Sequence, residues 1–529
     1  MSESNKNLSI ASHENNRLDL AQKIALALGS VGLFILALAL FNVNFPNKTL
    51  WLTISLLSLF VGITVYANQM YLNQPEGIKN NGVMFKPFTN KGLWAWVLGI
   101  VLTLFYVVLF WFPKYLGLND NGQNTGIVGF FDPLSLFLNG KPASQWFVYG
   151  SLYTMAILGF GYKFILKYRH NRYQLVRTIS IMFFQLGFAF LIPEILEKLN
   201  PDMPYFGKDL KNMWPLNYYF FNEWHLKNML DGGNLGLFIL LFGLAMIFVI
   251  SPILTYFYGK RWYCSWVCGC GGLAETAGDS FRHLSSKKKK VWKFEQLLIH
   301  SVLAFSLIMT IAVIYSFLST NPEMSLITRN QFIWGIVLFL TLFTGLIYVF
   351  KRKELDTDAV YTLLTLTLII VASILINHFS GNQNILFINT GSLREWYAFA
   401  IGSVFSGVIG VGFYPIFGNR VWCRFGCPMA AVLGLQQRLL SKFRITTNGG
   451  QCISCGNCSS YCEMGIDVRS YAQKGENIVR SSCVGCGICA AVCPRGVLKL
   501  ENASPTGRVN PNEILLGNDV NLMDMLNKK

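Results

Sequence analysis

C-I-S-C-G-N-C-S-S-Y-C, from Cys452 to Cys462, and C-V-G-C-G-I-C-A-A-V-C-P, from Cys483 to Pro494, share the spacing C-x2-C-x2-C-x3-C, and twenty residues lie between them. Such a run wraps three thiolates around one 4Fe-4S cubane and sends the fourth to a neighbouring cubane. The expected ligand sets are therefore Cys452, Cys455, Cys458 and Cys493 for one cluster, and Cys483, Cys486, Cys489 and Cys462 for the other. Paired C-x2-C spacings also suit zinc. Zinc takes only four sulfurs, however, and two complete quartets closed by Pro494 fit iron–sulfur better. Glu463 stands where the first quartet would usually carry proline, which bears on the local turn and not on the ligand count.

Outward from this stretch the chain is apolar. Of its 529 residues 53% are hydrophobic and 13% charged, where a soluble globular chain carries about 25% charged residues. Ten apolar runs approach the roughly 20 residues needed to cross a bilayer: 24–42, 51–72, 93–112, 146–163, 178–196, 235–257, 297–318, 333–350, 359–377 and 396–417. The expected fold class is an all-α polytopic membrane protein of about ten transmembrane helices, with a small C-terminal α+β domain of the two-cluster ferredoxin type. The expected divisions are a polar tail (1–23), a five-helix region (24–196), a membrane core (235–440), the ferredoxin domain (441–501) and a C-terminal tail (502–529). The polar start, Met1 to Lys23, has no apolar signal core, so the first span reads as a retained helix.

The net charge of +17 does not point to nucleic acid, because the basic residues sit in short connections between apolar runs. The connections after even-numbered spans, with the N-terminal tail, hold more than twice as many lysines and arginines as those after odd-numbered spans. By the positive-inside bias the first set faces the cytoplasm. Both termini and the ferredoxin domain then lie inside, a reducing compartment suited to thiolate ligands. The run Lys287–Lys290 belongs to the same side and reads as a topology signal.

The remaining five cysteines are Cys264, Cys268, Cys270, Cys423 and Cys427. Four of them lie in an internal repeat: Y-G-K-R-W-Y-C-S-W-V-C-G from Tyr258, and F-G-N-R-V-W-C-R-F-G-C-P from Phe417. Gly259 matches Gly418 and Arg261 matches Arg420, while Gly269 stands where the second copy has Pro428. The spacing C-x3-C puts two sulfurs one turn apart on one helical face, too far apart for a disulfide. Cys264, Cys268, Cys423 and Cys427 together could hold one metal or a further iron–sulfur cluster. Cys270 has no counterpart and no assigned role.

Two C-x3-C motifs after membrane helices, followed by a double cubane segment, resemble the NapH/NosR-type membrane polyferredoxins over roughly residues 235–500. The G-R-W-Y-C-like stretch from Gly259 to Cys264 is also similar to that of CcoG-type oxidase assembly proteins. The resemblance implies electron transfer at the cytoplasmic membrane, between the quinone pool and a respiratory or reductase system. The alternative it carries is an assembly factor reducing metal or thiols for a respiratory oxidase. Either way the chain reads as an electron-transfer component and not a stand-alone enzyme, with membrane lipid and other respiratory or reductase subunits as partners.

No C-x2-C-H and no strand–G-x-G-x-x-G–helix unit occurs, so covalent haem and nicotinamide binding are unsupported. His225, His300 and His378 read as structural. Glu194, beside Pro193 at a helix end, could relay protons. The aromatic-rich outer loop from Asn200 to Asn234 could cover a quinone pocket or dock a partner, and such aromatics commonly settle at the membrane interface.

Overall fold

The computed structural model describes residues 18–72, 86–119, 123–200, 209–321, 327–352, 355, 357–380, 389–502, 515–516 and 520–521. Most of the two expected polar tails, and the first part of the outer loop, lie outside the described residues.

Among the described residues, eight helices are long and apolar enough to cross a membrane. They are α1 (Leu20–Leu40), α2 (Lys48–Tyr71), α3 (Leu93–Trp111), α6 (Arg172–Leu199), α7 (Gly233–Tyr258), α8 (Lys289–Thr320), α9 (Arg329–Phe350) and α10 (Thr357–Phe379). Between α3 and α6 stand a shorter apolar helix α4 (Gly126–Leu138) and α5 (Gln145–Lys167). Their starts follow local chemistry. Asn47, Ser144, Asn171 and Thr328 each cap a helix by accepting a hydrogen bond from a backbone N–H in its first turn, which satisfies a donor that would otherwise be orphaned. Outward faces carry Leu33, Phe34, Leu93 and Val349, all well exposed, as a lipid-facing surface requires. The protein is thus a multi-pass membrane protein.

Two expected spans differ in make-up. α5 is 23 residues long, but Ser151, Thr154 and Lys167 are buried along it. It packs against α2, α4 and α6 inside the bundle and falls short of the apolarity of a lipid-crossing helix. The run 396–417 is not one regular helix. Thr390–Tyr397 continues into wide i→i+5 turns over Ala398–Ile409, breaks, and resumes as Tyr414–Phe417.

Proline accounts for two of the four wide-turn segments, Phe184–Leu191 and Met246–Ile250, where the carbonyl it crowds lies inside the segment. A proline lacks the N–H of its own turn and its ring crowds the carbonyl four residues before it, so the preceding turn opens. Phe184–Leu191 precedes Pro193, and Met246–Ile250 precedes Pro252. After the other two, Ala398–Ile409 and Trp422–Gly426, the helix breaks before Pro415 and Pro428. Widened turns of this kind gather at functional sites.

Beyond the bundle, α12 (Pro428–Leu440), numbered after α11 (Thr390–Tyr397), leads into a two-stranded antiparallel sheet. Strand β1 (Phe443–Thr447) pairs with β2 (Leu498–Asn502), Phe443 opposite Asn502 and Thr447 opposite Leu498. The pairing ties the two ends of the cysteine-rich segment together. That segment shares one apolar core with the membrane region: Tyr263, Val302 and Trp422 lie in the same cluster as Ile445, Val484 and Ile488.

Candidate functional site

The two ferredoxin-type motifs fold alike. Gly456 and Gly487 sit at equivalent positions with φ of 79° and 75°, each starting a short helix, Asn457–Ser460 and Ile488–Ala491. Such left-handed positions favour glycine, and they turn the preceding cysteines inward. Ser454, two residues before Gly456, also takes a positive φ where the second motif has Gly485.

One cavity is lined by Cys452, Cys455, Cys458 and Cys493. Another is lined by Cys462, Cys483, Cys486 and Cys489. The chain thus brings together the same crosswise quartets that the spacing suggests. Among the described residues, no three Cys, His, Asp or Glu side chains converge closely enough to hold a single metal ion. A cubane presents its four iron corners to four separate thiolates, so two thiol-lined cavities fit that group better than they fit zinc.

The two cavities differ in surroundings. Cys455 is exposed and Cys452 and Cys493 are half-buried, beside Arg469 and Arg495. Cys483 and Cys489 are buried, and their loop is held by four side chains from outside the segment. The Tyr173 hydroxyl donates to the Gly485 carbonyl (2.9 Å) and Gln174 Nε2 to that of Cys486 (2.9 Å). Ser265 Oγ donates to the Val484 carbonyl (2.8 Å), and Gln437 Nε2 to that of Cys483 (2.9 Å). Burial pushes the Cys483 thiol up to about 11 and the Cys486 thiol up to about 12. These sulfurs therefore stay protonated unless a metal takes them as thiolates.

The repeat places its four cysteines in the same core. Each copy turns sharply after a helix at a glycine with positive φ, Gly259 at 62° and Gly418 at 97°. Cys264 ends the short helix Arg261–Cys264, and Cys268 caps Gly269–Glu275. Cys423 lies in the wide turns Trp422–Gly426, and Cys427 caps α12, its Sγ accepting from the Ala430 N–H (3.4 Å). The expectation of one continuous helical face is therefore corrected. Within each pair a break in the helix separates the sulfurs, because Cys268 and Cys427 adopt extended, capping backbone.

All four thiols are buried, and they influence one another across the two copies. Burial pushes Cys264 up to about 12 and raises Cys423 and Cys427, and thiolates of the partner copy add to each. Cys268 is the exception, drawn below its ordinary value by its neighbour Cys270 against the effect of burial. Cys270, which the repeat left unassigned, is thus close to Cys268, though it is exposed where the four are buried.

A buried chain of ion pairs joins these groups, and spacing alone did not show it. Lys167 pairs with Asp279 (2.5 Å), Asp279 with Arg282 (3.1 Å) and Arg282 with Glu463 (2.8 Å). Glu463 pairs with Arg420 (3.0 Å), Arg420 with Glu275, and Glu275 with Arg177. No side chain in the chain is more than 6% exposed. The residue in the place of the usual proline is therefore its central carboxylate. Burial alone would raise the Glu463 carboxyl; Arg282, Arg420 and Arg177 outweigh it and hold the group below the usual carboxylate range.

The described part of the outer loop does not settle at an interface. Met213 packs in the cysteine-containing core, and Trp214 Nε1 donates to Thr310 Oγ1 of α8 (2.9 Å). The Tyr263 hydroxyl donates to the Lys211 carbonyl (2.8 Å), and Lys211 Nζ donates to Gln185 Oε1 (3.0 Å). Irregular backbone inside a bundle is tolerated where protein buries it. Glu194 is buried and accepts from Asn139 Nδ2 (2.6 Å). His225 is buried against Phe220 and Trp224, and His300 is half-buried on α8. Of the basic run, Lys287 donates to the Ser460 carbonyl (3.3 Å) and so touches the cluster segment, whereas Lys288, Lys289 and Lys290 are exposed.

Comparison with known proteins agrees with this geometry. A family model described as a 4Fe-4S dicluster domain matches residues 451–498. A second, described as a 4Fe-4S binding domain, matches twice, over 240–291 and 399–446, once for each copy of the repeat. The chain is similar to the "Putative electron transport protein YccM" of Escherichia coli (strain K12), with 24% identity over 232 residues. That match covers 43% of this chain and 48% of the relative, so it spans about half the relative's length. No solved structure matches the chain.

Proposed function

We propose that this protein is a membrane electron-transfer component, passing electrons between a cytoplasmic ferredoxin-type domain and the membrane. In this reading residues 441–501 form the cluster domain and 235–440 the membrane core it docks on. Cys452, Cys455, Cys458 and Cys493 hold one 4Fe-4S cluster; Cys462, Cys483, Cys486 and Cys489 hold the other. Each cluster, when bound, would accept and release a single electron at a potential tuned by burial and hydrogen bonds.

The observation that carries the reading is that cysteines of all three thiol groups share one core, where the ferredoxin-type segment meets the bundle. The first quartet is partly open to water, with Cys455 exposed. The second is pinned from α6, from the first repeat and from α12. The third group, Cys264, Cys268, Cys423 and Cys427, lies in the same core as the second and serves as a redox or metal site at the bundle. The partner at the membrane end is a quinone or a respiratory or reductase subunit. The cytoplasmic membrane, with both termini inside, is the location that fits the charge asymmetry.

The nearness of Cys270, which draws the Cys268 thiol below its ordinary value, gives a second reading one specific support, since a lowered thiol is a readier nucleophile and metal ligand. In that reading the chain reduces metal or thiols for a respiratory oxidase.

The test uses full-length protein in membrane vesicles, purified without oxygen. Cys264→Ser and Cys423→Ser should leave both ferredoxin-type signals intact and stop electron exchange with the membrane pool. Normal exchange in both variants would remove the third group from the route. Exchange that depends on Cys270 would favour the thiol-reducing reading.

A further inference from the structure

We propose that Glu463, gripped by Arg282 and Arg420, forms a charge seam. It positions the Cys462, Cys483, Cys486 and Cys489 quartet against the membrane cysteines and sets the reduction potential of the cluster held there. The inference rests on the ligand assignment proposed above.

The geometry is continuous from one thiol group to the other. Glu463 directly follows Cys462 in the chain. Its carboxylate forms ion pairs with Arg282 (2.8 Å) and Arg420 (3.0 Å) and accepts a hydrogen bond from Asn419 Nδ2 (3.2 Å). Arg420 then turns its other nitrogens to the membrane site, where Nη1 reaches the Cys423 Sγ at 3.5 Å and the Cys264 carbonyl at 3.3 Å. A single guanidinium thus touches the carboxylate beside one quartet, a thiol of the second repeat and the backbone of the first. Its seat is closely packed: a Cβ added at Gly271 would lie 2.1 Å from the Cys264 carbonyl oxygen and 2.9 Å from Arg420 Nη1.

The seam is one-sided, which separates it from a general consequence of the repeat. Arg261, the counterpart of Arg420, makes no such bridge; it lies over the Phe443 ring at 4.4 Å. Nor does stability alone account for seven buried charges. Well-packed apolar side chains often replace buried ion pairs at no loss, whereas an ion pair in the right place fixes one arrangement over others.

Fixed charges in such a setting act strongly, because little water screens them. A reduced cluster carries one more negative charge than an oxidised one. The carboxylate opposes that charge and the arginines favour it, so the seam sets the balance on the inner cluster and leaves the exposed one largely untouched.

The experiment is a redox titration of the full-length, anaerobically purified protein, followed by the paramagnetic signals of its clusters, with iron content measured alongside. Glu463→Gln removes the negative charge and leaves two unmatched guanidinium groups, so the inner cluster should become easier to reduce. The expected shift is at least tenfold in its reduction equilibrium, about 59 mV for a one-electron couple. The inner cluster is the one whose signal Cys486→Ser alters. Glu463→Asp, which keeps the charge, should restore most of the original potential. Glu197→Gln, which breaks the pair with Lys141 (2.6 Å) at the opposite end of α6 from Tyr173, should move neither potential.

Should Glu463→Gln lose its iron, Glu275→Gln decides, since it removes a carboxylate from the far side of Arg420 and should shift the inner potential in the same direction by less. Unchanged potentials in the iron-loaded variants overturn the seam. Native protein with no cluster signal overturns the ligand assignment and the seam with it.

Discussion

The two quartets have the same spacing and the same left-handed glycines, yet one has an exposed cysteine, Cys455, and the other has none. Around Cys455 the loop meets water, with Ile453 56% exposed. Around Cys486 the loop carbonyls are taken up by Tyr173, Gln174, Ser265 and Gln437, and Glu463 is fully buried. Identical ligand spacing therefore does not produce identical sites. On the electron-transfer reading proposed above, burial and hydrogen bonding around the cysteines would give the two clusters different potentials and different access.

The sharpest way to break this comparison is to remove one ligand from each side. Cys455→Ser should abolish one cluster signal and leave the other, and Cys489→Ser the reverse, each losing about half the iron. Loss of both signals from Cys455→Ser alone would mean that the two sites are not separate. A smaller effect is expected in stability. Arg282→Met strips one of the two guanidinium partners from the buried Glu463 carboxylate and should cost about 3–5 kcal/mol. Arg469→Gln, beside the open quartet, should stay within about 0.5 kcal/mol, as surface changes do. Thermal unfolding of the two variants would show it, and equal losses would deny that the inner site is the more tightly built. A smaller effect than that of Arg282→Met belongs to Tyr173→Phe, which removes the hydroxyl that bonds the Gly485 carbonyl. Its cost should be roughly 1 kcal/mol, with the exposed quartet's signal unchanged.

Much of this architecture was legible in the chain. Thiolate spacing is strict because a cubane has fixed corners, so the crosswise quartets could be read from Cys452 to Cys493 alone, and apolar runs marked the bundle. Other features depended on contacts far apart in sequence. Glu463 stood out as a departure from proline, but its partners Arg282 and Arg420 come from the two membrane repeats, and no local pattern links them. The aromatics near Trp214 have the composition of an interfacial belt. Only packing distinguishes that from a loop folded back onto Tyr263 and Thr310. The run 396–417 looked like a plain span because hydropathy does not register the wide turns over Ala398–Ile409 or the break before Tyr414. Cys270 lacked a repeat counterpart, and its place beside Cys268 emerged only when Gly269–Glu275 folded back against the second copy.

The central claim is that two separate quartets of thiolates hold two cubanes on a membrane bundle. Iron and acid-labile sulfide, counted per chain in full-length protein purified from membranes without oxygen, test it most directly. The account predicts at least about eight of each, with further iron if Cys264, Cys268, Cys423 and Cys427 also hold a cluster. Stoichiometric zinc with no sulfide would contradict it.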